Sequence, residues 1–172
     1  RAGDDEHHLR QVGLMGLLRY ALELQQFRLV FQPKIDLASR RVVHVEALLR
    51  WTTPEYGDVA PDEFIPLAER SGMIRPITRH VVDEALRQAA PWIADGLIEG
   101  VAVNLSPMDL VDGDLPDYVD QRLQAHGVPS RSLVLEVTEH TVMRDLDAAR
   151  TTMHRLRGQG VRLSIDDFGT GH

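Results

Sequence analysis

The alternation of apolar and polar residues along the chain predicts a helix followed by a hairpin of two strands. Apolar positions within residues 9–26 recur at helical spacing, which predicts an amphipathic helix. Apolar runs rich in β-branched residues follow at residues 29–31 and 42–49. The polar segment 36–40 between them is typical of a hairpin turn, so these two strands are expected to be antiparallel.

Beyond the hairpin, the pattern predicts two helices and then a regular alternation of strands and helices. Helical periodicity marks residues 61–69 and 77–93. Strands are predicted at 101–105, 133–137 and 161–165, and helices at 116–125 and 146–156. Strands that alternate with helices of this length indicate βαβ units, with a parallel sheet covered by helices and right-handed crossovers. The predicted fold class is therefore α/β.

Acidic and amide residues interrupt the predicted strands towards their carboxyl ends. They are Glu46, Asn104, Glu136 and the pair Asp166 and Asp167. Separations of 32 residues from Asn104 to Glu136 and 30 from Glu136 to Asp166 match one βα unit each, which predicts that these strand ends lie side by side in register. Because residues two apart on a strand share a side, the large residues of these strands are expected to meet the helices instead.

Each of these polar residues also has a simpler explanation when it is taken alone. An Asn or Asp at a strand end ordinarily forms a turn or caps a helix. A Glu within an apolar strand is costly unless it is paired, bound to metal or placed at a solvated edge. Polar residues at corresponding positions of four strands are not expected by chance, and they favour one shared site.

The chemistry of this residue set points to a hard divalent cation. Carboxylate and amide oxygens suit Mg²⁺ or Mn²⁺ better than Zn²⁺, which usually takes His or Cys. The chain has no cysteine, so thiolate metal sites are excluded. Adjacent Asp166 and Asp167 can reach different ions, and a pair of metal ions suits the hydrolysis of phosphate esters.

Composition narrows the class of protein further. The 172 residues are 43% hydrophobic and 26% charged, as in an ordinary globular domain. The formal charge of −7 disfavours electrostatic binding to nucleic acid polymers. No segment is long and apolar enough for a membrane span or a secretory signal, so a cytoplasmic location is expected. The parent protein could still be attached to a membrane through another domain.

The motifs along residues 29–172 resemble those of EAL domains, the family of bacterial cyclic di-GMP phosphodiesterases. The resemblance is carried by Phe31-Gln32-Pro33, Glu46-Ala47-Leu48-Leu49-Arg50-Trp51, the segment Pro-Asp-Glu-Phe-Ile-Pro-Leu-Ala-Glu at 61–69, Val103-Asn104-Leu105-Ser106, Leu135-Glu136-Val137-Thr138-Glu139 and Asp166-Asp167-Phe168-Gly169-Thr170-Gly171. Several ordered motifs at family-like spacing leave little room for accident.

This resemblance implies a TIM-type barrel with an antiparallel first strand and hydrolysis of cyclic di-GMP to linear pGpG by a metal-activated water. It implies Glu46, Asn104, Glu136 and Asp166 as ligands of one Mg²⁺ or Mn²⁺, with Asp166 and Asp167 binding a second ion. Glu46, Asp166 and Asp167 would thus be the catalytic residues of this stretch.

The resemblance assigns further residues to the substrate and to the loop after Asp167. Arg50 would contact a phosphate of cyclic di-GMP, and Gln32 and Leu48 would line the nucleotide site. Glu139 is expected to support the loop rather than to bind metal. Residues 168–171 of that loop would couple the metal site to formation of a homodimer.

The resemblance also implies residues that lie outside this sequence. A barrel of this class needs on the order of 250 residues, and the general-base Lys and a later metal-binding Glu of the family would follow His172. We therefore expect residues 1–26 to be a linker helix and 27–172 the N-terminal part of an EAL domain, with about the first five barrel strands. The fragment alone is expected to be inactive.

Three functions remain open from the sequence. The intact parent can be an active phosphodiesterase, a receptor or scaffold that binds cyclic di-GMP without cleaving it, or an unrelated metal-dependent barrel hydrolase. An upstream GGDEF or sensory domain is expected, because members of this family commonly carry one.

Overall fold

The computed structural model describes residues 2–138 and 146–166, which form one mixed sheet with helices packed on it. The strands are β1 (Phe27–Asp36), β2 (Arg41–Thr53), β3 (Gly57–Val59), β4 (Gly100–Asn104), β5 (Leu133–Thr138) and β6 (Arg162–Asp166). The helices are α1 (Ala2–Leu18), α2 (Pro61–Ser71), α3 (Ile74–Ala94), α4 (Pro107–Leu110), α5 (Leu115–His126) and α6 (Leu146–Gly158), with a 3₁₀ turn at Ser130–Ser132.

The predicted hairpin is confirmed and is longer than its apolar runs indicated. Strands β1 and β2 are antiparallel, with Gln32 opposite Glu46. The turn between them closes through the backbone N–H of Arg40, which donates to the carbonyl of Asp36 at 2.8 Å. The Asp36 side chain accepts from the backbone of Ser39 at 3.0 Å, which explains why a polar segment stands here.

The parallel part of the sheet is also as predicted. Strands β2, β4, β5 and β6 are neighbours in that order and parallel to one another, while β3 adds a short antiparallel strand to β2. The mixed α/β class is therefore confirmed. The pattern gave no sign of β3 or α4, because three or four residues are too short to show a period.

The faces of the central strands divide as alternation predicts, with one exception at the sheet edge. Val101, Val103, Leu133 and Leu135 are completely buried against the helices. Ile165, expected on the same side, is 50% exposed, because β6 is an edge strand within the described residues.

The first helix lies earlier than predicted. It spans Ala2–Leu18, and turns occupy most of the segment between it and β1. Leu14 and Leu18 are fully buried in the common core, and Arg10 forms an ion pair with Glu63 of α2 at 2.6 Å. The division between a linker helix at 1–26 and the domain at 27–172 remains a prediction.

In the described part of the chain, no helix has the length and apolar character needed to cross a membrane.

Asp109 on α4 is a buried carboxylate at the carboxyl end of the sheet. Its Oδ2 accepts hydrogen bonds from the Thr78 hydroxyl at 2.8 Å and from the Ser106 backbone N–H at 2.8 Å. Burial raises the pKa of Asp109 to about 6, and the charge of Asp112 acts in the same direction, while the two hydrogen bonds and Arg75 oppose this increase. Ionised Asp109 is therefore a cost to the fold at neutral pH.

We expect Asp109→Asn to make the domain more stable than the wild type at pH 7 but not at pH 4. Asn can keep both hydrogen bonds through its amide oxygen. Protonated Asp109 contributes stability that is fully present below about pH 4 and lost as the pH rises through about 6, since the ordinary pKa is 3.8. At about 1.4 kcal/mol for each pKa unit, the gain is up to about 3 kcal/mol. Denaturant unfolding at both pH values measures it, with exposed Asp95→Asn as control. A difference that does not change with pH would contradict this prediction.

Candidate metal and phosphodiester site at the carboxyl ends of the strands

The strands bring Glu46, Asn104 and Glu136 to one face of the sheet, with a stagger that the sequence did not predict. Asn104 and Glu136 are direct partners across β4 and β5. Glu46 is level with Ala102, two residues before Asn104, and Asp166 is level with Thr138, two residues after Glu136. The prediction that all four strand ends lie in register is therefore wrong in detail. Neighbouring strands of barrel-type sheets are staggered. Residues that lie close together on adjacent strands are therefore not always direct partners in the strand pairing.

Glu46 and Asn104 are joined by a hydrogen bond across strands β2 and β4. The Asn104 Nδ2 donates to Glu46 Oε1 at 2.9 Å. This contact turns the amide nitrogen towards Glu46, so the amide oxygen is the atom that Asn104 can offer to a cation. Their predicted proximity is thus present, although 58 residues separate them in the sequence.

Lys34 on β1 lies between the two carboxylates. Its Nζ donates a hydrogen bond to Glu136 Oε1 and lies 3.6 Å from Glu46 Oε2. The Glu136 side chain is only 5% exposed, whereas that of Lys34 is 39% exposed. Two carboxylates from different strands therefore converge on one cationic group.

The pKa of Lys34 reflects this environment. Burial works to lower it, but the hydrogen bond to Glu136 and the negative charges of Glu136 and Glu46 outweigh burial, and the pKa is raised above its usual value. Lys34 is therefore a cation at neutral pH. Its charge offsets part of the repulsion between the two glutamates.

Lys34 is the site residue that the sequence analysis missed. Strand alternation could have found it, because Lys34 lies two residues after Gln32 and so shares its side of β1. Composition gave a second signal: Lys34 is the single lysine among the 19 Lys and Arg residues of the chain.

The predicted substrate residues lie beside this cluster. Gln32 is exposed and directly opposite Glu46. Leu48 and Arg50 line a cavity of about 300 Å³ that Asn104 also borders. The Arg50 guanidinium donates to the carbonyl of Leu49 at 2.9 Å, which holds it at this wall. The cavity thus has Asn104 of the cluster at its border and Arg50, a residue type suited to phosphate oxygens, in its wall.

Other residues from the sequence analysis lie outside what the structure describes. Asp167, Glu139 and the loop 168–171 are not among the described residues. For Asp166 the backbone position on β6 is described, and its side chain is not. Their assigned roles remain predictions.

The donor set fits a hard divalent cation. Among the side chains that the structure describes, no three His, Cys, Asp or Glu residues come close enough together to hold a metal. Two carboxylates and an amide do converge, and the ammonium of Lys34 already lies where both carboxylates can contact a positive charge. Oxygen donors gathered around a cation are the chemistry that Mg²⁺ and Mn²⁺ require.

The chain belongs to the EAL domain family: the family model named EAL domain matches residues 16–172. Among curated relatives, the bifunctional diguanylate cyclase/cyclic di-GMP phosphodiesterase MucR of Pseudomonas aeruginosa is 44% identical over 163 residues, covering 94% of this chain and 24% of the relative. The oxygen sensor protein DosP of Escherichia coli is 39% identical over 155 residues, covering 90% and 19%.

Solved structures support the same fold. The MucR phosphodiesterase in complex with c-di-GMP has a TM-score of 0.85 and 43% identity, over 93% of this chain and 65% of that one. The EAL domain of FimX from Pseudomonas aeruginosa, bound to c-di-GMP, has a TM-score of 0.82 and 29% identity, over 92% and 63%. The chain spans about a quarter of the full length of MucR, at 24%.

Proposed function

We propose that the intact protein hydrolyses cyclic di-GMP to linear pGpG with the help of divalent metal ions. The observation that carries the proposal is the convergence of Glu46 and Glu136 on one cation, with Asn104 bonded to Glu46, beside a cavity lined by Leu48 and Arg50. The relationship to MucR, a named cyclic di-GMP phosphodiesterase, supports the choice of substrate.

Glu46, Asn104, Glu136 and Asp166 would hold one Mg²⁺ or Mn²⁺, and Asp167 would join Asp166 in binding a second. Such ions supply an acidified water and positive charge for the phosphate oxygens. The low exposure of Glu136, at 5%, keeps this part of the site away from bulk water. Electrostatic attraction between its carboxylate and a cation is strengthened by that burial.

The chain's own residues would bind and orient the diester. Arg50 would donate to a phosphate oxygen, since a guanidinium is a permanent planar cation suited to that geometry. Leu48 and exposed Gln32, on the same face of the hairpin, would border the nucleotide. Hydrolysis adds water across one phosphodiester: a new bond to phosphorus forms, the bond to the 3′-oxygen breaks, and that oxygen takes the proton.

The wider setting belongs to the same proposal. A bacterial cytoplasmic location would place the domain with its nucleotide, and a homodimer and an upstream GGDEF or sensory domain would couple it to a signal. The name of MucR joins a diguanylate cyclase activity to a phosphodiesterase in one protein, which supports a multidomain parent.

The proposal is tested with the purified intact protein and cyclic di-GMP, in buffer with EDTA or with Mg²⁺ or Mn²⁺. Separation of the products by chromatography should reveal pGpG only with metal. Absence of product under all conditions would refute the proposed phosphodiesterase activity. A linear dinucleotide substrate with the same bond serves as control for nonspecific diesterase activity.

The second candidate is a receptor that binds cyclic di-GMP without cleaving it. The position of Lys34 favours this alternative, because an ammonium that already balances part of the negative charge of the two glutamates reduces the need for a metal ion. Calorimetric binding of cyclic di-GMP in EDTA, combined with no turnover in Mn²⁺, would establish it.

A further inference from the structure

The position of the only lysine in the chain demands an explanation. The other 18 of the 19 Lys and Arg residues are arginines, and Lys34 lies between two acidic residues of the candidate metal site. A lysine differs from an arginine in being a compact point charge on a flexible stem, closer in shape to a metal ion than a planar guanidinium.

The contacts of Lys34 are those that a bound cation would make. Its Nζ contacts Glu136 Oε1 and lies 3.6 Å from Glu46 Oε2, and Glu46 in turn holds Asn104. Three residues assigned to the metal therefore converge on this ammonium or on its immediate neighbour. A divalent ion and the ammonium cannot both contact the same two carboxylate oxygens without strong repulsion between them.

Lys34 also has room to leave. Its side chain is 39% exposed, and β1 is at the edge of the sheet in the described residues, so the ammonium can turn to solvent without disturbing the core. Its long aliphatic stem can stay against the sheet while the charged end moves into water.

We propose that Lys34 is the resident cation of the metal-free site and that a divalent ion must displace it in order to bind. The inference rests on the proposed metal site and deepens it: the lysine keeps the acidic cluster compact without metal and weakens the apparent metal affinity. Occupation of the site then depends on the free concentration of metal.

The test is calorimetric titration of the metal-free intact protein with Mn²⁺, comparing the wild type with Lys34→Met, which retains the length of the side chain and removes its charge. We expect Lys34→Met to bind Mn²⁺ on the order of 10- to 100-fold more tightly. Lys34→Arg, which keeps the charge, should not gain affinity. Exposed Arg41→Met, which removes a charge from the start of β2, should change affinity less than about threefold.

The melting temperature gives a second comparison. In EDTA, Lys34→Met should melt below the wild type, because Glu46 and Glu136 then repel each other without a counter-charge. In saturating Mn²⁺ the two proteins should melt at the same temperature or the variant higher. Equal Mn²⁺ affinity in wild type and Lys34→Met would overturn the inference and leave the proposed function standing. No Mn²⁺ binding by either protein would overturn both.

A measurement on the wild type alone keeps the inference testable should Lys34→Met fail to fold. The protein is treated briefly with acetic anhydride with and without Mn²⁺, and acetylation is quantified by mass spectrometry on the peptides that contain Lys34, with the α-amino group as internal reference. Displacement predicts severalfold more acetylation of Lys34 with Mn²⁺. Unchanged or reduced acetylation in saturating Mn²⁺ would overturn the inference.

Discussion

Glu46→Gln is expected to lower the turnover of cyclic di-GMP by at least about 10³-fold, with binding of the nucleotide still measurable. Gln can keep the hydrogen bond from Asn104 through its amide oxygen, so the fold of the site should survive. It cannot supply the negative charge that holds a divalent ion. Metal stabilisation of a phosphoryl transition state is worth several kcal/mol, and each 1.4 kcal/mol is about tenfold in rate.

Steady-state kinetics in Mn²⁺ measures this effect, and calorimetry with cyclic di-GMP measures binding separately. Exposed Glu55→Gln is the matched control, because it makes the same chemical change away from the site and should keep wild-type turnover. If Glu46→Gln retained more than a tenth of the wild-type rate, Glu46 would not be a metal ligand.

Trp51→Ala is expected to destabilise the domain by about 3 to 5 kcal/mol, the usual cost of truncating a large buried aromatic. Trp51 is 1% exposed and packs edge-on against Phe64, with ring centroids 5.5 Å apart, and against Phe27 at 5.9 Å. Its indole N–H donates to Gln26 at 3.1 Å. The truncation leaves a cavity between β2 and α2 and removes this hydrogen bond.

Denaturant unfolding followed by the fluorescence of Trp92, which remains in the variant, provides the measurement. Trp51→Phe is the control, since it keeps an aromatic ring and loses the hydrogen bond, and it should cost clearly less than Trp51→Ala. A loss below about 1 kcal/mol in Trp51→Ala would show that this aromatic cluster does not hold β2 in place.

Much of the fold could be predicted because its signals are local. The βαβ alternation after residue 100 follows from the spacing of apolar runs, and the hairpin follows from two apolar runs around a polar turn. The grouping of Glu46, Asn104 and Glu136 could be predicted because strand alternation places them on one side of neighbouring parallel strands, although Glu46 lies in the middle of β2 rather than at its end.

The features that escaped prediction depend on contacts between distant segments. The stagger that sets Glu46 two residues from the level of Asn104 follows from how strands pair, which periodicity does not encode. The role of Lys34 arises from a contact 102 residues away along the chain. The raised pKa of Asp109 likewise comes from burial by α3 and its neighbours rather than from local sequence.

The most direct test of the metal site is a crystal structure of the intact protein grown with Mn²⁺, with anomalous diffraction to locate the ion. The account predicts an anomalous peak within about 2.5 Å of carboxylate oxygens of Glu46 and Glu136 and of the Asn104 amide oxygen, with the Lys34 ammonium turned away. Glu46 and Glu136 still bound to Lys34 in saturating Mn²⁺, with no peak between them, would contradict it.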